Sequence, residues 1–191
     1  GAEAFLEYAE MAADALTAGQ HPAGGWHYLI DFDMAGIEEW YENSASRNWG
    51  FEEYYHYYGN CTFDDSATYS PANFLLQMFH ATTDMELLPP LLKALDFVLE
   101  AQYPNGAWPQ RYPLKYDYPH DGHADYTHYY TFNDGVIHNN IMLLMDAWYK
   151  LGDERYREAA ERGMYFYIIS QCPNPQGGWA QQYDRELNPA W

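Results

Sequence analysis

Apolar residues recur every three to four positions along two long stretches of the chain. From Val136 to Leu151, Ile137, Ile141, Leu144, Met145 and Trp148 form one stripe, the spacing of an amphipathic helix. Gly152-Asp153 then ends that helix and caps the next, because glycine accepts the left-handed C-terminal conformation and aspartate accepts N-terminal N–H bonds. A second helix is predicted over 153–171, with Tyr156, Ala159, Ala160, Gly163, Phe166 and Tyr167 on one face and Glu and Arg on the other. The same pair is predicted from Ala72 to Thr82 and from Glu86 to Gln102. Pro89 and Pro90 stand near the front of that second helix, where a missing N–H costs least. Residues 2–20 read as the second helix of a preceding unit.

These units share one register. Asp65, Asp84 and Gln102 are separated by 19 and 18 positions, and so are Asp134, Asp153 and Gln171, which sets the two units 69 residues apart. Upstream, His56–Tyr58 and His128–Tyr130 both read HYY, and TFDD at Thr62–Asp65 answers TFND at Thr131–Asp134. After each second helix comes a turn of one type: QHPAGGW from Gln20, QYPNGAW from Gln102 and QCPNPQGGW from Gln171. Helical hairpins repeated at a fixed period build either a ring or a linear stack. Because all three turns follow the second helix, they gather at one end and form a rim, which favours an all-α fold, an α/α toroid of hairpins. The stretches Trp26–Phe63 and Pro109–Thr131 are long, aromatic and poor in helix signals. They are expected to be functional loops on that rim.

Composition narrows the partners. At 191 residues the chain is expected to be one domain, 1–191, and its formal net charge is -19 with only 9 Lys and Arg. That balance argues against nucleic acid and against an anionic membrane. It also means that an anionic substrate needs a cation as intermediary. Aromatic residues make up 19% of the chain. Two cysteines, Cys61 and Cys172, without CxxC spacing, read as small buried residues and not as a disulfide framework.

The rim collects the chemistry. Asp65 and Asp134 each precede a helix and could be simple N-caps. Alternatively, Asp64-Asp65 and Asn133-Asp134 form two oxygen-rich sites on neighbouring helix starts. Oxygen ligands without Cys, and without His at ligand spacing, point to Ca²⁺ and not to zinc. Trp26, Trp108 and Trp179 could pack on helix ends or stack on sugar rings. His56 and His128 hold equivalent repeat positions, which argues for a shared packing role. Arg47 could neutralise Glu52 and Glu53, whereas Arg111 has no acidic neighbour in sequence and its charge is expected to serve a ligand.

AQYPNGAWPQRYP, followed by YTFNDGVI and by GGWAQQYD, resembles the family 10 pectate lyases, and DDSAT at Asp64–Thr68 is similar to that family's DNGAT element. The similarity runs from about Thr62 to Asp184. It implies an α/α-barrel, secretion or a periplasmic address, and Ca²⁺-assisted β-elimination of pectate by a monomer. Carried over by position, Asp64 and Asp134 would be the carboxylates that work with the calcium and the substrate carboxylate; Asp65 is expected to join them as a metal ligand, and Trp26, Trp108, Gln110, Trp179, Gln182 and Tyr183 are expected to bind substrate. Asp65 stands where the family has Asn, and Gly135 where it often has a second Asp. The family's catalytic arginine lies beyond the QQYD segment, so the chain reads either as a truncated member or as a divergent one in which Arg111, Arg47 or a Tyr takes that role. Two other readings compete: an α/α-toroid glycoside hydrolase using an Asp pair as acid and base, and a non-catalytic carbohydrate-binding relative.

Overall fold

The computed structural model describes residues 2–30, 32, 34–48, 59–115 and 126–190. Among the described residues seven α-helices carry the fold: α1 (Ala2–Ala18), α2 (Met34–Trp40), α3 (Ser46–Asn48), α4 (Tyr69–Thr82), α5 (Leu88–Glu100), α6 (Val136–Leu151) and α7 (Glu154–Ile169). Two-residue strands tie the turns together: β1 (Cys61–Thr62) pairs antiparallel with β2 (Arg111–Tyr112), and β3 (Tyr130–Thr131) with β4 (Gln182–Tyr183), which also pairs with β5 (Pro189–Ala190). The hairpins α4–α5 and α6–α7 are the two predicted units, and α4 packs on α6. Apolar stripes from all of them meet in one core that includes Leu75, Leu91, Leu95, Val98, Ile137, Leu144 and Phe166.

The repeated turns obey one bonding plan. Gln20 donates its amide to the Gly24 and Pro90 carbonyls, and Gln102 donates to those of Gly106 and Ala159. Each glutamine thus closes its own turn and grips the second helix of the next unit. Gln171 keeps the first half of the plan, donating to the Gly177 carbonyl. Gly106 is required for two reasons. Its φ is 96°, and a Cβ there would sit 2.1 Å from the Arg162 carbonyl oxygen of α7. Gly24 repeats this one unit earlier: its φ is 115°, and a Cβ there would sit 2.5 Å from the Lys93 carbonyl oxygen.

Several expectations are revised. Asp153 does cap α7, accepting the Arg155 N–H, and Gly152 does end α6 in the left-handed conformation. Asp65 and Asp134 cap nothing: neither α4 nor α6 carries a side-chain cap bond. The stretch read as helix-poor contains α2, continued through a π-helical stretch (Tyr41–Ala45) into α3. Ile37, Tyr41 and Ala45, four residues apart, bury together as a small second cluster. Both cysteines are free; Cys61 is buried as expected, whereas Cys172, in the turn after α7, is only half-buried. No helix among the described residues is long and apolar enough to cross a membrane.

Candidate active site at the repeat turns

Immediately before α4 and α6 the chain makes one tight 3-10 turn, Asp64–Ser66 and Asn133–Gly135. The two turns pack against each other, bridged by the Asn139 amide donating to the Ser66 hydroxyl at 3.0 Å. Within them Asp65 (φ 47°) and Asp134 (φ 51°) are left-handed. That conformation costs a non-glycine residue about 1–2 kcal/mol. A strain repeated at one position in both units marks the site as built for something other than stability.

Asp64 is the centre. It is 7% exposed, and its Oδ2 accepts the Tyr28 hydroxyl at 2.5 Å and the Gln110 amide at 3.0 Å. The amide of Gln182 donates in turn to Gln110 Oε1 at 3.3 Å and to the Thr131 hydroxyl at 3.4 Å. One carboxylate oxygen is therefore fixed by a buried chain of donors. The other, Oδ1, is buried without a hydrogen-bond partner among the described residues. Burial raises the Asp64 pKa to about 6 against the opposing pull of the Tyr28 bond, and the Asp134 carboxylate within hydrogen-bonding reach, with Asp65 nearby, adds to the rise. A buried carboxylate that has a second carboxylate within reach and one oxygen without a donor suits a hard cation.

Of the expected trio Asp64, Asp65 and Asp134, only Asp64 and Asp134 converge. No group of three or more such side chains among the described residues is arranged to enclose a metal ion. Two carboxylates make only part of the six- to eight-oxygen shell that calcium takes, about a third of it, leaving the remainder to water and substrate oxygens.

The other expected residues divide sharply. Gln110, Gln182 and Tyr183 are buried in the turn network, where Gln110 reaches Asp64. Trp26 and Trp108, 1% and 0% exposed, offer no ring face for stacking. Each is a structural lid whose indole N–H donates to a helix carbonyl ten residues back, Leu16 and Val98. Trp179 donates similarly to Tyr167 but stays 46% exposed, so it alone of the three presents a face. Arg111 is 1% exposed, so its charge does not reach a ligand directly. Its guanidinium donates to the Tyr41 hydroxyl at 2.9 Å and to Asn60 Oδ1 at 3.4 Å, and it lies 5.2 Å from the Tyr28 ring centre. Tyr41 continues this network to His27 Nε2 at 2.9 Å. Arg47 is exposed at the end of α3. His128 is buried, in keeping with packing, while His56, Glu52 and Glu53 lie outside the described residues.

Tyr28 was not anticipated from the sequence. A signal existed: it stands two residues after Trp26, as Gln110 stands two after Trp108, and both repeat positions deliver a donor to the same Asp64 oxygen.

Residues 20–149, which hold both 3-10 turns and the tyrosine and glutamine that fix Asp64, match the model of the family described as pectic acid lyase. The chain belongs to the pectic acid lyase family. It also superposes on the family 10 polysaccharide lyase from Cellvibrio cellulosa with a TM-score of 0.63 at 24% identity. That alignment covers 94% of this chain and 54% of the other. An Asp→Ala variant of the same Cellvibrio enzyme, in complex with trigalacturonic acid, aligns at 23% identity with the same TM-score of 0.63 and the same coverage of 94% and 54%. This pectic acid lyase family member thus spans about half the length of those solved chains, and the likeness establishes the α/α fold. None of the curated proteins matches the chain significantly.

Proposed function

We propose that the chain, acting as one secreted or periplasmic α/α-toroid domain, is a calcium-assisted lyase that cleaves pectate by β-elimination. The observation that carries this reading is the Asp64–Asp134 pair, with its buried orphan oxygen, at the junction of two strained turns. Calcium bound there would neutralise the substrate's uronate carboxylate and stabilise negative charge developing beside it.

The chain's own residues do the positioning. Tyr28 and Gln110 hold Asp64 Oδ2, and Gln182 holds Gln110, so the carboxylate is oriented before any ligand arrives. Arg111, sealed beneath Tyr28, braces that ring and the Tyr41 hydroxyl, and in this scheme it positions and does not abstract a proton. The proton acceptor is assigned to an exposed arginine, either Arg47 in α3 or Arg185, which follows β4 by two residues. In the reaction the C5–H bond breaks as a nitrogen of that guanidine, in its neutral form, takes the proton; the bond's electron pair forms the C4–C5 double bond; and the C4–O bond breaks with the leaving oxygen taking a proton from solvent water, to which the guanidinium returns the one it accepted.

The glycoside hydrolase reading needs two carboxyl groups at least about 5 Å apart to flank a glycosidic bond. The hydrogen-bonding approach of Asp64 to Asp134 disfavours it. Mass spectrometry of products from trigalacturonate with calcium tests the choice. The lyase reading expects an unsaturated fragment lighter by one water than a hydrolysis product. A saturated pair of fragments sinks it, and intact trimer on a protein that binds it leaves the non-catalytic carbohydrate-binding reading.

A further inference from the structure

Beside the carboxylate pair lies a cavity of about 410 Å³, within the size range of sugar and cofactor pockets. It is continuous with the site, because Tyr28 both lines it and bonds Asp64, and Asp65 lines it next in sequence to Asp64. Leu16, Ile30, Ala67 and Pro71 give it aliphatic walls.

Its charge is one-sided. Asp65 contributes a carboxylate, and none of the described lining residues is Lys or Arg. All nine basic residues of the chain are among the described ones, so none is hidden elsewhere. His27, also in the wall, is neutral at ordinary pH: burial, and then the Arg111 guanidinium and His21, lower its pKa to about 3. Ile30 leads directly into Asp31-Phe32-Asp33, two further acids by sequence. A uronate carboxylate entering here would meet the Asp65 carboxylate with no cation in the described wall, the nearby Arg111 guanidinium being buried against the Tyr28 ring and closed to direct pairing. An esterified one would bring a methyl group to aliphatic walls and a ring face to Tyr28.

We propose that this cavity is a subsite for an uncharged, methyl-esterified uronate residue, next to the metal site that takes a free one. The inference rests on the pectate lyase reading and adds a substrate preference to it: sparsely methyl-esterified chains over fully de-esterified ones.

Calorimetry in calcium with trigalacturonic acid and with its terminal monomethyl ester tests this, using the intact chain and Ile30→Lys. Ile30 is partly exposed, so a lysine there places a cation in the wall with little cost to folding. The wild type is expected to bind the ester about tenfold more tightly, the size of one screened like-charge contact removed. Ile30→Lys is expected to erase or invert that preference. Equal or weaker binding of the ester by the wild type overturns the subsite while leaving the lyase reading standing, and so does a preference unchanged by Ile30→Lys. Binding of neither trimer overturns both.

Discussion

Asp64→Asn in the absence of metal isolates the energetics of the carboxylate pair. The substitution is nearly isosteric. Its oxygen can still accept from Tyr28 and Gln110, and its new amide can donate toward Asp134 in place of the orphaned Oδ1. In the wild type, burial and the two neighbouring carboxylates raise the Asp64 pKa from 3.8 to about 6. The folded state therefore holds more protons than the unfolded state between those values, and stability falls as pH rises through that window. The full penalty, reached above the folded-state value, corresponds to about 3 kcal/mol. Asparagine does not titrate, so the variant lacks this loss. Urea denaturation followed by tryptophan fluorescence, in chelator, is the assay. Near pH 7 the variant is expected to be more stable by about 1–3 kcal/mol, with the advantage vanishing near pH 4. Saturating calcium is expected to reverse the order, since only the wild type gains binding free energy. A variant less stable than wild type at neutral pH in chelator, or a difference independent of pH, would refute the reasoning.

Other substitutions separate site from scaffold. Asp134→Gly removes a carboxylate at a residue whose φ of 51° suits glycine, so calcium affinity measured by calorimetry is expected to fall at least about tenfold while stability changes by less than about 1 kcal/mol. Unchanged affinity contradicts the metal assignment. Gly106→Ala adds a methyl 2.1 Å from the Arg162 carbonyl oxygen. Left-handed strain and overpacking together are expected to cost about 2–5 kcal/mol in urea denaturation, and a loss below about 1 kcal/mol would mean that the turn is not clamped to α7. Trp108→Ala is expected to cost about 3–5 kcal/mol as a core deletion. Trp179→Ala is expected to cost less than about 1 kcal/mol and instead to weaken trigalacturonate binding in titration; the opposite pattern would exchange their roles.

The repeat was legible because its marker residues keep identical spacing, so Asp65 and Asp134, and Gln102 and Gln171, fall in register with closely similar φ values at the aspartates and amide bonds from both glutamines to a glycine carbonyl. The same register brings the two doublets together but pairs Asp65 with Asp134; that Asp64 is the partner of Asp134 was legible only through the family resemblance. Burial of the tryptophans was not. A tryptophan after a glycine turn fits a lid or a stacking platform equally well, and what decides is a carbonyl ten residues earlier that its indole reaches. Arg111 looked unpartnered because its partners, Tyr41 and Asn60, are distant in sequence. Tyr41 belongs to a helical stretch whose short stripe of Ile37, Tyr41 and Ala45 was masked by the surrounding aromatics. Tyr28 escaped notice because the corresponding position one unit later holds glutamine, a different residue doing the same work.

Ultraviolet absorbance of polygalacturonate mixed with this protein, first with calcium and then with excess chelator, tests the central claim most directly. A calcium-dependent lyase gives a steady rise from the new double bond conjugated to the carboxylate, stopped by chelator and absent in Asp134→Gly. A flat trace from folded, calcium-bound protein, or a rise that chelator leaves untouched, would contradict it.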